Sequence, residues 1–556
     1  MQKMYSASGE TLSTVPWEIY PRPQMMRNDW LCLNGKWKFL CGKTESSIVV
    51  PFCPESILSG ISFKTDPGLE LIYSRSFSIP ESWYGKRILI HFGAVSRTAV
   101  VRINGKEAVS HEENYLPFSA DITELLRNGD NEITVTVVND LSRQHPWGKQ
   151  KEQRGGMWYT PVSGIWQTVW LEPVPEHYIR SLIIRTGADY AEITSEGVST
   201  GAVELDGVRY PLNGGIARID IRKPVPWSPE NPYLYRFSVV TDEDRVESYF
   251  ALRTLSVERI NGIPRLCLNG KPFFFHGLLD QGYWSDGLYT PASPAGYEQD
   301  ILAVKSLGFN MLRKHIKIEP EQFYYDCDRL GMIVFQDMVN CGKYHYLRDT
   351  LFPTLGITRR NDTRLNRDPA ARSHFLRAMD ETVRLLRNHP CICLWTIFNE
   401  GWGQFCADDA YRRLKALDSS RFVDSTSGWF VRNESDVESL HIYFRPLRTG
   451  KQDRPQFLSE FGGWSYKIPE HSFNLEKTYG YKKYLDRGQF VHDLRVLYLE
   501  QVLPLISRGL CAAVYTQVSD VEDETNGLLT FDRRIVKLHP DEFRDISEKL
   551  CRAINE

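Results

Sequence analysis

The stretch Leu394-Trp395-Thr396-Ile397-Phe398-Asn399-Glu400-Gly401-Trp402 gives the first indication of the fold. Four of its first five residues are apolar, and an Asn-Glu pair and a glycine follow. This pattern is typical of a short buried parallel strand that ends at a loop. In barrels and open α/β sheets, catalytic side chains lie at that end of the strands. Glu400 is therefore a candidate catalytic carboxylate, although a single Asn-Glu pair is more often a plain polar turn.

A second stretch repeats this design sixty residues later. Gln456-Phe457-Leu458-Ser459-Glu460-Phe461-Gly462-Gly463-Trp464 again places a glutamate after a short apolar run and before glycines and a tryptophan. Glu400 thus has a counterpart in Glu460. The two stretches together predict a pair of carboxylates at the ends of buried strands.

The composition is that of an ordinary globular protein. The 556 residues predict two to four domains, and 42% are hydrophobic and 25% charged. A formal net charge of −3 favours neither a nucleic acid nor an anionic membrane as a partner. No run approaches the roughly 18 apolar residues of a membrane span. Residues 1–21 show no secretory signal.

The cysteines and the aromatic residues add two weaker expectations. The 11 Cys are scattered without paired C-x-x-C spacing, so we interpret them as reduced packing residues of a cytoplasmic protein. The 14 Trp, 27 Tyr and 27 Phe suit carbohydrate binding, because sugar rings pack on aromatic faces. The cores of aromatic β-domains explain them equally well.

The first 257 residues have the pattern of two β-domains. Residues 1–174 contain short alternating runs separated by turn signals, and Asn104-Gly105 predicts a hairpin because this dipeptide accepts positive φ values. This block is expected to be a jelly roll. Pro173-Val174-Pro175 is interpreted as a linker. Residues 175–257 are expected to form an immunoglobulin-like β-sandwich without a functional site.

Residues 258–556 alternate short strands with helical stretches. Residues 320–330 and 368–388 are predicted helices, the second opened by Asp368-Pro369. Eight strands in about 290 residues predict a (β/α)8 TIM barrel, in which Glu400 ends the fourth strand and Glu460 ends the seventh. The predicted strands are residues 273–277, 309–313, 332–337, the run from 394, 421–425, 438–443, the run from 456, and 512–517.

Two carboxylates across a barrel mouth suit glycoside hydrolysis, in which one protonates the departing oxygen and the other attacks the anomeric carbon. A separation of about 5–5.5 Å gives retention through a covalent intermediate, whereas about 6.5–9.5 Å leaves room for water and gives inversion. The acid must keep its proton near neutral pH, so burial and the nearby nucleophile must raise its pKa.

Other side chains are expected at the same mouth. Asn399 is placed to donate to the sugar hydroxyl beside the reacting carbon, and Tyr443 to donate to the nucleophile, although Tyr443 suits a core phenol equally well. The basic run from Arg313 to Lys317 does not indicate nucleic-acid binding, because strand alternation divides it between two faces. Each remaining candidate for substrate binding is also compatible with a structural ion pair or a packed ring. They are Asp280, Gln281, Tyr283, Trp284, Arg313, His315, Lys317, Asp337, Trp402, Trp429, His441, Trp464 and Tyr515.

These residues resemble glycoside hydrolase family 2, the family of β-galactosidases, β-glucuronidases and β-mannosidases, over nearly the whole chain. The resemblance implies a sugar-binding jelly roll, an immunoglobulin-like sandwich and a catalytic barrel. Glu400 matches the family's acid/base, Asn399 its neighbouring asparagine and Glu460 its nucleophile. The segment 156–167, which closes the jelly roll, and the segment 250–254, which leads into the barrel, are also similar to the family.

Departures from the family pattern bear on the sugar. Large β-galactosidases and glucuronidases carry Arg-x-Ser-His-Tyr-Pro where this chain has Arg313-Lys314-His315-Ile316-Lys317, and they offer a tryptophan near Tyr515. The Asn-x-Lys-Gly clamp by which glucuronidases bind a carboxylate is not apparent after Glu460. A lysine after Glu460 is an alternative source of the cation; the candidates are Lys467, Lys477, Lys482 and Lys483.

The sequence therefore predicts an exo-acting, retaining, β-galactosidase-like glycosidase of the cytoplasm. A β-glucuronidase or β-galacturonidase, an arabinosidase, and a carbohydrate-binding protein without turnover are the alternatives. No organic cofactor is implied, and no cluster of metal ligands is identified. Self-association is left open, as is the aglycone, which depends on loops such as residues 289–296 and 343–366.

Overall fold

The N-terminal domain is a jelly roll of antiparallel strands. The computed structural model describes residues 2–357, 361–450 and 453–556. A six-stranded and a four-stranded sheet enclose a core that includes Trp37, Ile90 and Val135. The larger sheet contains, in spatial order, Thr44–Val50, Gly35–Cys41, Glu70–Phe77, Asn131–Val138, Thr98–Ile103 and Lys106–Glu112, and the smaller contains Leu31–Cys32, Val169–Val174, Arg87–Phe92 and Phe118–Asp121. A short pair, Val95–Ser96 and Gly164–Ile165, completes the domain.

The hairpin predicted at Asn104-Gly105 is confirmed. It joins Thr98–Ile103 to Lys106–Glu112, and its two turn residues have φ values of +52° and +81°. Both angles lie in the left-handed region that a two-residue hairpin turn requires.

The linker predicted at Pro173-Val174-Pro175 is wrong for its first two residues. Pro173 and Val174 belong to the strand Val169–Val174, where they pair with Ile88 and Arg87. The strand on the other side pairs with Trp170 and Leu171 and does not extend to Pro173. A proline is tolerated there because it has no N–H to donate to a second neighbour.

The second domain is an immunoglobulin-like sandwich. One sheet contains Ser181–Thr186, Tyr190–Glu196 and Ile216–Asp220, and the other Val208–Pro211, Ala202–Leu205, Tyr235–Val240 and Arg245–Phe250. The sandwich is bonded to the barrel through Asp328, whose carboxylate accepts from the Tyr249 hydroxyl at 2.7 Å and whose carbonyl accepts from the Trp227 indole at 2.8 Å. It therefore supports the barrel.

The third domain is a TIM barrel with all eight predicted strands. After the antiparallel strands Leu255–Ile260, Ile263–Leu268 and Lys271–Pro272, parallel pairing runs in the order five, four, three, two, one, eight, seven, six. The fifth and sixth strands are joined through Ser439, whose hydroxyl lies 3.2 Å from the Thr426 carbonyl. In chain order the barrel strands are Phe275–Asp280, Met311–Lys314, Ile333–Asp337, Ile392–Asn399, Phe422–Ser427, Glu438–Ile442, Gln456–Gly462 and Leu510–Thr516.

Helices cover the outside of the barrel. The two predicted helices are confirmed as Glu321–Leu330 and Pro369–Leu386. Asp368 caps the second, because its side chain accepts from the amides of Ala370 and Ala371, and Pro369 suits the first turn. The other helices are Ala295–Ser306, Phe352–Thr354, Ala407–Leu417, Arg487–Val496, Leu503–Ile506 and Pro540–Ala553. None of the helices in the described parts of the chain is both long and apolar enough to cross a bilayer.

A loop of the jelly roll lies on the mouth of the barrel. The Trp147 amide donates to the Asn340 carbonyl and its indole to the Gly342 carbonyl, both at 3.1 Å, in the loop after the third barrel strand. Trp158 stacks on Trp402 with ring centroids 5.2 Å apart. The N-terminal domain therefore forms part of the wall above the carboxyl end of the strands.

Candidate active site

Glu400 and Glu460 meet at the carboxyl end of the barrel. Glu460 lies within the seventh strand, whereas Glu400 follows the fourth with a φ of +51°, a left-handed conformation uncommon outside glycine. Its amide donates to the Ser427 carbonyl at 2.9 Å, which fixes the turn. One oxygen of each carboxylate and Nδ1 of His441 all lie within 4.8 Å of one another.

Glu460 is held as an anion. Its Oε1 accepts from Arg313 at 3.1 Å, and its Oε2 accepts from the Tyr443 hydroxyl at 2.5 Å. Burial alone raises the pKa of this carboxyl, but the positive charges of His441 and Arg313 outweigh burial and lower it to about 2. The carboxylate is therefore ionised throughout the neutral range.

Arg313 connects the groups around Glu460. Its fully buried guanidinium donates to Asp337 at 3.0 Å, to the Ser459 carbonyl at 3.0 Å and to the Asn399 side-chain oxygen at 2.8 Å, in addition to Glu460. The amide oxygen of Asn399 is thus occupied, which leaves its NH2 group to donate to a substrate. Arg313 positions other groups and has little capacity left for a sugar.

His441 connects Glu400 to the fifth strand. Its Nδ1 lies 2.9 Å from Glu400 Oε1 and its Nε2 lies 3.1 Å from Ser427 Oγ. With both ring nitrogens engaged, His441 orients Glu400. Glu400, His441 and Glu460 also have the spacing of a divalent-metal site, but an ion there would occupy both carboxylates and block attack by Glu460.

A cleft of about 810 Å³ opens above Glu400. Barrel residues that line it include Trp429, whose indole donates to the Asp349 carbonyl at 3.2 Å, and Tyr443, whose ring stacks on Tyr481. The jelly roll contributes Trp158. Trp402 does not line the cleft and instead supports Trp158 from behind.

Several predicted site residues are engaged in ion pairs or packing. The Lys317 ammonium contacts both oxygens of Glu319 and the carbonyls of Gly282 and Tyr289 within 2.6–2.9 Å, which uses its three donors. Asp280 is paired with Lys314 at 2.6 Å. Trp284 packs under the Arg533 guanidinium. These contacts do not support a role in substrate binding for Lys317, Asp280 and Trp284.

Other candidates hold neighbouring side chains. Gln281 donates to Gln517 at 2.8 Å, the buried Tyr515 hydroxyl accepts from the Trp464 amide at 3.3 Å, and His315 Nδ1 lies 2.8 Å from Asp337. Burial and then the charge of Lys149 lower the pKa of His315 to about 4, so it is neutral at physiological pH.

Two of the lysines considered for a carboxylate clamp stabilise the region after the seventh strand. Lys467 donates to the carbonyls of Asn474 and Leu475, and Lys482 pairs with Asp493 at 2.6 Å. In the loop expected to shape the aglycone site, Tyr344 lines the cleft, whereas residues 358–360 lie outside the described residues.

The prediction from sequence missed the contribution of the jelly-roll loop and of the segment after the eighth strand. Lys149, Lys151 and Trp158 lie at or near the site. Tyr159 donates to Glu524, which also accepts from Gln517 at 3.0 Å. The family-like segment 156–167 was the available signal, because it includes both Trp158 and Tyr159.

Three domain models of one family match the chain in order. The description "Glycosyl hydrolases family 2, sugar binding domain" matches residues 61–175, "Glycosyl hydrolases family 2" matches residues 184–253, and "Glycosyl hydrolases family 2, TIM barrel domain" matches residues 260–462.

Known relatives carry two different activities. A β-galactosidase of Thermoanaerobacter pseudethanolicus is 24% identical over 453 residues, which cover 75% of this chain and 56% of the relative. A β-glucuronidase of Pongo abelii is 26% identical over 409 residues, which cover 64% of this chain and 59% of the relative. The matched part of the chain thus spans less than two thirds of the length of these relatives.

Solved structures share the fold. A β-D-glucuronidase of Dictyoglomus thermophilum superimposes with a TM-score of 0.75 at 18% identity and covers 95% of this chain and 98% of its own. A β-galacturonidase of Eisenbergiella tayi bound to galacturonate gives 0.69 at 20% identity and covers 95% and 99%. At such identities the likeness supports the architecture. Because three models of one family match in order from residue 61 to residue 462, the chain belongs to glycosyl hydrolase family 2.

Proposed function

We propose that the protein is an exo-acting β-glycosidase that hydrolyses terminal β-linked sugars with retention of configuration. The separation of the two carboxylates carries the proposal, because an oxygen of Glu400 lies within 4.8 Å of an oxygen of Glu460. Retaining glycosidases hold their carboxyl groups about 5–5.5 Å apart, whereas inverting enzymes need about 6.5–9.5 Å for an intervening water.

The first step is attack by Glu460 on the anomeric carbon. A bond forms between a Glu460 oxygen and this carbon, the bond to the aglycone oxygen breaks, and Glu400 gives its proton to that oxygen. The ionised state of Glu460 supports the role of nucleophile. Glu400 lines the open cleft, which is where the aglycone departs.

In the second step a water molecule replaces the aglycone. Glu400, now a carboxylate, accepts a proton from the water as its oxygen attacks the anomeric carbon, and the bond to Glu460 breaks. Tyr443 and Arg313 stabilise the departing Glu460 carboxylate through the bonds they already make to it. Asn399 donates to the hydroxyl next to the reacting carbon.

The sugar is proposed at the level of two classes. Relatives include β-galactosidases and β-glucuronidases, so a neutral galactoside and a uronide are both candidates. An arabinoside stays the third candidate. The rival from another class, a binding protein without turnover, is disfavoured because both carboxylates are present and Glu460 is held ionised. A cytoplasmic location is supported by the eleven free cysteines.

Azide rescue tests the mechanism. We expect wild type to cleave a nitrophenyl β-glycoside, Glu460→Ala to be inactive, and azide to restore turnover of the variant with formation of the α-glycosyl azide. Glu400→Ala with azide is expected to give the β-glycosyl azide, because Glu460 still forms the intermediate. The exposed Glu548→Ala is the control and should match wild type. Failure of wild type to cleave any glycoside would refute the proposal.

A further inference from the structure

Lys149 is a buried lysine whose ammonium has no hydrogen-bonding or ion-pairing partner in the part of the chain that the structure describes. It is 8% exposed, and no hydrogen bond or ion pair joins its ammonium to another of the described residues, the ring of Tyr159 being 5.7 Å away. The other three buried lysines in the described ranges, Lys314, Lys317 and Lys537, are each paired with a carboxylate within 2.8 Å. A lysine that is packed along its length but has no carboxylate partner keeps its ammonium available for an anionic ligand.

The backbone around Lys149 is fixed on the barrel. The preceding Gly148 has a φ of +66°, and a Cβ added to it would lie 2.6 Å from the Tyr115 hydroxyl and 3.3 Å from the Ile316 carbonyl. The Lys149 carbonyl accepts from the Tyr159 amide at 3.0 Å. This packing keeps the side chain at the barrel mouth.

The charge of the Lys149 ammonium influences titratable groups at or after the ends of three barrel strands. Burial raises the pKa of Glu460 and of Glu524, and the charge of Lys149 is among the influences that lower both. It also lowers the pKa of His315, after burial. These groups follow or end the seventh, eighth and second strands, so the Lys149 ammonium lies close enough to Glu460 for its charge to influence that carboxylate.

We propose that Lys149 binds a carboxylate on the glycone and that the preferred substrate is therefore a β-uronoside. The inference rests on the proposed glycosidase function and names its substrate class. A glycone carboxylate supplies the direct ion pair that Lys149 lacks among the described residues, whereas the hydroxyls of a neutral sugar offer only uncharged hydrogen-bond acceptors. Lys467 and Lys482 are bonded elsewhere and do not compete for this role.

The test compares nitrophenyl β-D-glucuronide, β-D-galacturonide and β-D-galactoside. We expect wild type to prefer one of the uronides by about 100-fold or more in kcat/KM, and Lys149→Met to lose about that factor on the uronide and far less on the galactoside. Lys149→Arg should retain more uronidase activity than Lys149→Met. The matched control is Lys482→Met, which removes a lysine bonded to Asp493 and should leave the preference unchanged.

Each contrary outcome has a separate meaning. Preference of wild type for the galactoside, or an equal loss on charged and neutral substrates in Lys149→Met, overturns the role of Lys149 while leaving the glycosidase proposal intact. Absence of cleavage of every glycoside by wild type refutes the glycosidase proposal itself. If neither Lys149 variant folds, inhibition of wild type decides: galacturonate or glucuronate must compete more strongly than galactose, and the reverse order overturns the inference.

Discussion

Replacing Tyr443 by phenylalanine removes one hydrogen bond to Glu460, the proposed nucleophile, and leaves the packing of the ring in place. The hydroxyl donates to Glu460 Oε2, whereas the ring stacks on Tyr481 with centroids 4.0 Å apart, a contact that phenylalanine keeps. Arg313 stays bonded to the other oxygen, so the carboxylate remains ionised. The bond matters most in the second step, because negative charge then returns to Glu460 as it leaves the sugar.

A hydrogen bond to a charged group contributes about 1.5–3 kcal/mol, which corresponds to about 10- to 150-fold in rate at 25 °C. We therefore expect Tyr443→Phe to lower kcat by this factor on a dinitrophenyl glycoside of the accepted sugar. KM should fall as well, because the glycosyl-enzyme accumulates. Rapid mixing should show a burst of phenol before the slow steady state.

The control for this experiment is Tyr484→Phe, which removes a hydroxyl that bonds to Asp493. It should leave kcat within about twofold of wild type, as expected for a position outside the site. A kcat for Tyr443→Phe close to wild type, or a loss without a burst and with KM unchanged, would refute the assignment of this hydrogen bond to the second step.

The remaining predictions concern the acid, the pH profile and the contact between domains. Glu400→Gln should slow the first step of hydrolysis by about 10²- to 10⁴-fold for alkyl glycosides and far less for dinitrophenyl glycosides, because only the alkyl leaving group needs a proton. Equal losses of rate on the two substrates would contradict the role of Glu400. Since the pKa of Glu460 is lowered from 4.5 to about 2, its ionised, Arg313-bonded form is present above 4.5 and is lost as pH falls toward 2. The acidic limb of the pH profile of kcat/KM should therefore have its midpoint below pH 4.5, measured where circular dichroism shows that the fold is intact. A midpoint at pH 4.5 or above would contradict the lowered pKa of Glu460. Tyr249→Phe removes a bond to the buried Asp328, and a loss of about 1–2 kcal/mol should lower the thermal midpoint by a few degrees without changing kcat at 25 °C. An unchanged midpoint would show that this contact does not stabilise the assembly.

The elements predicted correctly are those whose signal is local. Each barrel strand is a short apolar run, and Glu400 and Glu460 follow from polar residues at the ends of two such runs. The prediction is wrong at Pro173 because a proline usually marks the end of a strand. It is tolerated within a strand that has no neighbour on its N–H side, and whether such a neighbour exists depends on pairing between strands distant in the sequence.

The contacts made by each side chain of the site could not be predicted from the sequence. Lys317 and Lys149 are both lysines near the barrel mouth, yet Glu319 neutralises the first and no described residue neutralises the second. Sequence position gives no sign of this difference, because Lys149 is brought to the barrel from another domain. Likewise, the sequence makes Arg313 a candidate for substrate binding, but the convergence of Asp337, Asn399 and Glu460 on its guanidinium is visible only in three dimensions.

The jelly-roll loop on the barrel mouth has a consequence for how such an enzyme can diverge. Under the proposed mechanism, the groups that make and break bonds belong to the barrel, whereas Trp158 and Lys149 belong to a domain encoded more than a hundred residues earlier. If Lys149 binds the sugar as proposed, mutations in that loop change which sugar is accepted while Glu400 and Glu460 stay in place on the barrel. Selection can therefore act on substrate choice and on reaction chemistry in separate segments of the gene.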